Sequence, residues 1–582
     1  MAKEKLHNIV EGAEEPVRRV MITIPTITGA LLAERPARVA IAIALCLGLG
    51  YALLLLGPAG AFGAAPFWAL PTGLIGGAPD IRNTLAGYWW FVMDDWRWPL
   101  LALHNPNWPR GANAELFDIV PAVAIIGKLL RTGFALEVNP YPCWVTFCLM
   151  MNAASLAALV RALGQRSALG AVLAGAFGAM APVVQYRFGH LALMAHWLPV
   201  LALALYCHGK RHRFTVCAVG LCLLATFVHL YLYVMVAAIM AAAVLQAMFD
   251  RRLSLLRGGF AIVLLMLAGV VPLWLFGLFD GWNLAGVPGD FSNYSMNLVS
   301  PFWPQSSGVF ARTGIYWLTR GSIGATPGQY EGFNYLGAGA LLLILLALPA
   351  EMRRLGATLS RHAALALAFT VLLVWAVSNR IYFGPYLLVS YQPPQFLADT
   401  LLSWFCSSGR FFWPIGWLLV GLGIARAPAR FRPVPAVAIA ALALLLQWTD
   451  VAPWRAAFAR LLATPPSSAF GTPADASRVV RAIGAAGAVA VVPPMFCAST
   501  DYASPLNAAA MEVELMAARA NARMPVVYLS REPPNCGKPL APGAGVVVAL
   551  RVNGQTAPAA GACFEVPMAR VCSTGDLAPG TP

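Results

Sequence analysis

The sequence predicts a polytopic α-helical membrane protein of about eleven transmembrane helices, followed by a small α/β domain outside the membrane. Three observations carry that expectation. Of the 582 residues, 59% are apolar and only 11% charged, whereas a soluble domain is about half apolar and a quarter charged. Mean hydropathy is +0.68. The apolar residues fall in runs of about 15 to 22, close to the roughly 20 needed to cross the bilayer, joined by short basic loops. This composition excludes disordered, collagenous and small disulfide-scaffold classes. The net charge of +15 would suit nucleic acid, but Lys and Arg are scattered between apolar runs. That pattern orients helices among membrane lipids, and no nucleic-acid partner is expected.

Taken in order, residues 1–38 read as a cytoplasmic tail holding Lys3, Lys5, Arg18, Arg19 and Arg35, with no signal-peptide core or cleavage site. Apolar segments follow at about 39–57, 140–160, 167–183, 191–208, 214–228, 230–248, 258–279, 335–350, 362–378, 411–427 and 434–449. With the N-terminus inside, every even connection is cytoplasmic. Those connections hold Arg161 and Arg166; Lys210, Arg211 and Arg213; Arg251, Arg252 and Arg257; Arg353, Arg354 and Arg361; and Arg426, Arg430 and Arg432. All are short and basic, as the positive-inside rule requires. The opposite connections, 58–139, 280–334 and 379–410, are longer and richer in aromatic residues, Pro and Asn.

Residues 39–449 thus form the membrane domain and 450–582 the outer α/β domain. The latter alternates helix-like pieces (Ala474–Ala486, Leu506–Ala522) with strand-like ones (Val489–Val492, Met524–Leu529, Gly545–Val552). It holds Cys497, Cys536, Cys563 and Cys572, an even number in an exported domain, which predicts two disulfides with three possible pairings. Cys46, Cys148, Cys207, Cys217 and Cys222 lie inside spans as small hydrophobes. No CxxC or His/Cys metal spacing is present.

Ionisable groups at or near bilayer depth are the informative ones. The first outer loop offers Asp80, Asp94, Asp95 and Asp118 among Trp89, Trp90, Trp96 and Trp98. Residues 85–103 read as a helix lying in the interface plane. Asp80 follows the Gly76, Gly77, Pro79 turn and either caps that helix or faces a cavity as a base. Asp94 and Asp95 suit a solvated polar edge. Arg187 and His190 are three apart and share a face, which suits a phosphate oxyanion or, equally simply, snorkelling and capping. His196 lies about 240° further round a helix and makes no metal pair with His190. Arg410, beside Phe411, Phe412 and Trp413, suits an aromatic belt or a phosphate clamp. Glu331, Asn334 and Tyr335 open the eighth segment beside the same outer cavity, and His229 sits at a hairpin tip. All lie at the outer surface, which argues against a transporter with a midplane site.

The stretches "PDIRNTLAGYWWF…WRWPL", "FDIVP…GKLL", "QYRFGHLALMAHWL", "FNYLGAGALLLIL" and "SSGRFFWP", spread over residues 70–450, resemble a family of uncharacterised bacterial polytopic proteins similar to GT-C glycosyltransferases. That family reads Gly-Asp-Pro followed by Gln-His where this chain has Ala-Pro-Asp and Ile-Arg-Asn. Asp80 keeps the spacing of the family's acidic residue, seven before Gly87. The resemblance implies a GT-C-like membrane domain in the bacterial inner membrane, with the C-terminus periplasmic. It implies transfer of a sugar from a polyprenyl-phosphate donor to a glycan or lipid acceptor, with inversion. Asp80 would be the base, with Asp118 or Asp94 as fallback or metal ligand. Arg187, His190 and Arg410 would bind the donor phosphate, and His196, His229, Glu331, Asn334 and Tyr335 would line the cavity. Some such enzymes use a divalent cation, for which this chain shows no diagnostic site. An oligosaccharide ligase or polymerase using a diphosphate donor, or a flippase of lipid-linked sugars, are the alternatives.

The orientation is testable directly. A phosphatase reporter fused after Thr449 or Pro582 is expected to be active. Activity of a cytoplasm-only reporter at either point would reverse the side on which every candidate residue lies.

Overall fold

The computed structural model describes residues 35–71, 78–208, 214–281, 290–310, 324–501, 504–532, 536, 545–556 and 561–573. The expected tail, the basic loop Lys210–Arg213 and the Gly76–Gly77 turn lie outside the described residues. The chain is mostly helical. Numbered in order, α1 is Arg35–Phe62, α2 Ala78–Met93, α3 Pro121–Phe134, α4 Tyr141–Ala162, α5 Ala168–Ala179, α6 Trp197–His208, α7 Phe214–Thr226, α8 Leu230–Phe249, α9 Leu255–Leu275, α10 Ala338–Arg361, α11 Ala363–Val377, α12 Trp413–Arg426 and α13 Pro433–Asp450. Among the described residues, 8 helices are long and apolar enough to cross a membrane, or up to 9 if one bent pair counts as a span.

The eleven expected segments are all helical, but three fall short of a span each. Helix α7 is a shorter apolar helix, and α10 and α11 meet at a bend of 103°. The bend accounts for two of these three segments and the shortness of α7 for the other. Apolarity in α10 fades after Pro349, yet the helix runs on through Arg353, Arg354 and Arg361 before His362 breaks it. Helix α1 kinks where Gly57 takes a φ of 65° ahead of Pro58, a position only glycine fills without strain. It packs tightly on α4 and α5: a Cβ on Gly48 would lie 2.6 Å from the Met150 Cα. Small residues let backbones approach in an apolar bundle, where packing rather than hydrophobicity holds helices together.

The first outer loop differs from expectation. No interface helix spans 85–103; α2 ends at Met93 and is buried from Ile81 to Val92. Its tryptophans are core rather than belt, because a second helix covers it. The amphipathic helix is α3, which leaves Ile126, Leu129 and Phe134 exposed on one side. Strands β1 (Ala102–Leu103) and β2 (Ala112–Asn113) form a short hairpin between α2 and α3, and β3 (Arg380–Phe383) pairs with β4 (Tyr386–Ser390) in a second.

Beyond α13 come α14 (Ala452–Ala463), α15 (Pro473–Ala486) and α16 (Pro505–Arg519), with β5 (Val489–Val492), β6 (Val546–Val552), β7 (Gln555–Thr556), β8 (Ala562–Val566) and β9 (Ala569–Ser573). These strands form a small sheet ordered β5-β6-β9-β8, with β7 on β6. The β5–β6 pair is parallel and the rest antiparallel. Two expected strands are therefore present. The third, Met524–Leu529, does not join the sheet. Its backbone bonds go to the first outer loop: Met524 donates to the Asn105 carbonyl at 2.9 Å, and Trp108 donates to the Met524 carbonyl at 3.0 Å. Strand-like sequence records the need for extended pairing and not the partner.

This pairing welds the C-terminal region to the loop. Helix α16 lies along α2, Arg82 Nη1 donates to the Ala508 carbonyl at 2.9 Å, and Trp90 Nε1 donates to the Ala522 carbonyl at 3.2 Å. Helix α14 returns to the bundle, where Phe458 meets Phe188 edge-on at 4.6 Å. One hydrophobic core runs through both regions.

Of the three possible cysteine pairings, the fold selects Cys497–Cys536 and Cys563–Cys572. Cys563 and Cys572 face each other in the β8–β9 register. Peptide mapping without reductant is expected to recover these two cross-links, each contributing roughly 2–4 kcal/mol. Recovery of any other pair, or four alkylatable thiols after denaturation, would overturn the pairing.

Candidate functional site

A buried carboxylate organises one end of the bundle. Glu331 sits on the Gln329–Gly332 turn just before α10. Arg187 comes from the Tyr186–Gly189 turn and Arg410 from the Ser408–Phe412 turn that opens α12. Arg187 Nη1 donates to Glu331 Oε2 at 2.5 Å, and its Nη2 donates to the Glu331 carbonyl. Arg410 Nε and Nη2 approach the same Oε2 at 3.0 and 2.9 Å. His190 Nε2 lies 3.3 Å from Glu331 Oε1 and 3.7 Å from Asp80 Oδ2.

Two glycines allow this convergence. A Cβ on Gly409 would lie 2.5 Å from the Gly332 Cα, so the turns carrying Arg410 and Glu331 touch backbone to backbone. Asn334 Nδ2 clasps them, donating to the carbonyls of Gly332 at 3.0 Å and Gly409 at 2.9 Å.

Burial grades across the cluster. The side chain of Arg187 is 1% exposed, whereas those of His190 and Asp80 are 23% and 27% exposed. Burial alone would raise the Glu331 carboxyl, but Arg187 and Arg410, with His190, hold it well below the usual range. Burial would lower the His190 imidazole, yet Asp80 and then Glu331 raise it above its ordinary value. The open edge thus pairs a carboxylate with an imidazole that favours its charged form.

A second ring surrounds this edge. Arg410 stacks 4.9 Å from the Tyr231 ring centre, and the Tyr231 hydroxyl accepts from the Ser407 amide at 3.0 Å. His229 caps α8 by accepting from the Tyr231 amide at 3.1 Å. Burial, then Arg410, His190 and Arg531, push its pKa well down, so it stays a neutral acceptor. Asp118 ends the Ala114–Phe117 turn in a left-handed conformation, φ 53°. It lies within electrostatic reach of Arg410, Arg531 and Tyr528. Tyr528 also feels Asp80.

The structure therefore brings together Asp80, Asp118, Arg187, His190, His229, Glu331 and Arg410. It separates the others. Asp94 is at the opposite end of α2, about 21 Å along the helix from Asp80, bonded to Arg97 Nε at 3.0 Å and to the Asp95 amide. It is held in a local ion pair away from Asp80. Burial opposes the drop in its pKa, but Arg97 and the neighbouring amides prevail. His196 accepts from Trp417 Nε1 at 3.0 Å and stacks on Trp413 at 4.1 Å, inside the bundle. Tyr335 donates to Asp450 Oδ2 at 2.8 Å, and Asp450 accepts from the first amide of α10 at 2.8 Å. Asn334 and Tyr335 thus secure backbone beside the site, and both line a pocket with Phe412, Trp413 and Trp417. Among the described residues, no group of three or more His, Cys, Asp or Glu side chains is placed to hold a metal ion. Tyr231, Tyr528 and Arg531 were not legible as site residues, because only folding brings the 524–532 segment to the bundle.

The profile of a family described as a domain of unknown function (DUF6311) matches residues 43–452. The chain belongs to that family. No curated protein matches it. The DUF6311 region contains Asp80, Asp118, Arg187, His190, His229, Glu331 and Arg410, whereas Tyr528 and Arg531 lie beyond it.

Replacing Glu331 by Gln keeps its shape but leaves two buried guanidiniums facing a neutral amide. The expected cost is roughly 3–5 kcal/mol, read as a lower melting temperature in detergent. A depressed carboxyl stabilises the fold above its unfolded pKa, near 4.3, and that contribution fades as pH falls towards its folded value. The variant should therefore lose most stability near neutral pH and least in acid. Equal melting of both proteins at neutral pH would rule out the ionic cluster as an anchor.

Proposed function

We propose that this DUF6311 protein is an inner-membrane glycosyltransferase, with its site on the periplasmic face. It moves a sugar from a polyprenyl-phosphate donor to a glycan or lipid hydroxyl. The observation that supports this reading most is the placement of Asp80. A partly exposed carboxylate stands 3.7 Å from His190, at the open edge of a buried arginine cluster. Two guanidiniums against the Glu331 carboxylate leave one formal positive charge over; a protonated His190 adds one and Asp80 removes one, so the cluster keeps a net charge of +1. Such a surplus favours an anion next to a base.

The chemistry follows from those positions. Asp80 takes the proton of the acceptor hydroxyl as its oxygen bonds to the anomeric carbon. The carbon–oxygen bond to phosphate breaks on the opposite side, so the centre inverts. The departing phosphate carries a negative charge, and His190 and Arg410 stabilise it electrostatically. Arg187 is too buried to touch the donor. It acts by fixing Glu331, which in turn orients Arg410 and His190.

Asp80 lies in the first turn of α2 and is not its N-cap, so Asp80→Asn separates a base from a first-turn helix acid: Asn keeps the shape but accepts no proton under these conditions. With expression matched, transfer of labelled sugar from a polyprenyl-phosphate donor in membranes should fall about 10²–10⁴-fold. Transfer at the parental rate would remove Asp80 as base and make Asp118, already near the cluster, the next candidate.

A further inference from the structure

The C-terminal region contributes more than a cover to this site. Its segment 529–532 is fixed from several sides: the Ser530 amide donates to the Leu116 carbonyl at 2.9 Å, Leu529 bridges to Glu532, and Glu532 pairs with Arg110 at 3.1 Å. Between those anchors, Arg531 points into the outer end of the bundle. Its Nη1 donates to the Ser403 carbonyl at 3.4 Å and lies 3.6 Å from Cys406 Sγ. It also bonds the side chain of Tyr231 and is within electrostatic reach of Asp118 and His229. Arg410 approaches the same Tyr231 through its ring face, at 4.9 Å. Two arginines from distant parts of the chain thus converge on one tyrosine. Arg531 remains partly exposed, like Asp80, Asp118, His190, His229 and Tyr528 around it.

We infer that Arg531 is a ligand of the donor phosphate, so that the C-terminal region, outside the DUF6311 match, completes the binding site. The inference rests on the proposed glycosyl transfer. Its physical basis is separate: Arg410 reaches the mouth while bonded through Nε and Nη2 to Glu331, and Arg531, anchored through Nη1 on the Ser403 carbonyl, brings a second guanidinium to the same mouth. The phosphodiester of the donor, held between the two, would place its charge next to His190 and its sugar-bridging oxygen towards Asp80. The ligand class is a phosphate ester carried on a long apolar chain (a diester as donor, a monoester as released product), and both parts are needed for tight binding at a membrane surface.

The test uses the full-length protein in detergent and three probes: a polyprenyl phosphate, the corresponding polyprenol, and inorganic phosphate. The parental protein should bind polyprenyl phosphate at least tenfold more tightly than polyprenol, with inorganic phosphate competing weakly. Arg531→Gln should reduce that preference tenfold or more, and Arg531→Lys should recover part of it. Arg110→Gln, which breaks the anchor of Glu532 without touching the cavity, should leave it unchanged. An unaltered disulfide map and melting temperature would show that the segment remains docked. If Arg531→Gln does not fold, the Lys variant decides, because it keeps the charge and loses only the fork. Phosphate preference unchanged in Arg531→Gln, or in a folded Arg531→Lys should Gln fail, while Arg410→Gln loses it, overturns this inference and leaves the proposed reaction standing. No preference for phosphate in the parental protein overturns both. Equal binding of inorganic phosphate and polyprenyl phosphate overturns the lipid-linked ligand.

Discussion

The buried carboxylate of Glu331 is the constraint on which this end of the molecule depends. Removing two guanidiniums from water is costly unless each finds a charged partner, and one carboxylate supplies both here. Because Arg187 and His190 come from one turn, Arg410 from a second and Glu331 from a third, that requirement fixes the relative positions of the helices behind them. The close contact of Gly332 with Gly409 is part of the same solution, since a side chain at Gly409 would push the turns apart and one at Gly332 would strike the Ser295–Met296 backbone.

A cluster of this kind serves specificity as well as stability. Full burial at Arg187 and partial exposure at His190 and Asp80 create a graded site, rigid at the back and accessible at the front. Catalytic groups benefit from that arrangement, because preorganised charges need no rearrangement when the substrate develops charge. The helix that carries Asp80 is itself held from two sides, by the bundle and by α16. Its position is therefore set by the C-terminal region as much as by the membrane helices. That coupling gives a reason for the 524–532 segment to pair with the first outer loop instead of the sheet.

How far the sequence reaches can be judged residue by residue. The spans from Tyr141 to His208 and from Leu230 to Leu275 were legible, since an apolar helix in lipid must satisfy its own backbone and needs a fixed length. The α10–α11 bend was not, because a helix continuing past its apolar stretch looks like a loop when only hydropathy is read. Asp80, His190, Arg410 and Glu331 were legible as residues too polar for where they lie. Their grouping was not, because Glu331 is 144 residues from Arg187 and 79 from Arg410. Asp94 illustrates the converse: its position beside tryptophans suggested function, and a local bond to Arg97 accounts for it.

By itself the sequence determined the class of molecule, the order of its apolar helices, the existence of a strand-bearing C-terminal region with four cysteines, and a short set of chemically notable side chains. These depend on composition and periodicity, which are local properties. Only the tertiary structure decided which cysteines pair, that Met524–Leu529 serves the first outer loop, that Arg187 is sealed behind Glu331, and that Arg531 meets Tyr231. Each of those is a contact between residues far apart in the chain. No local pattern encodes such a partner, because its identity depends on how the whole core packs.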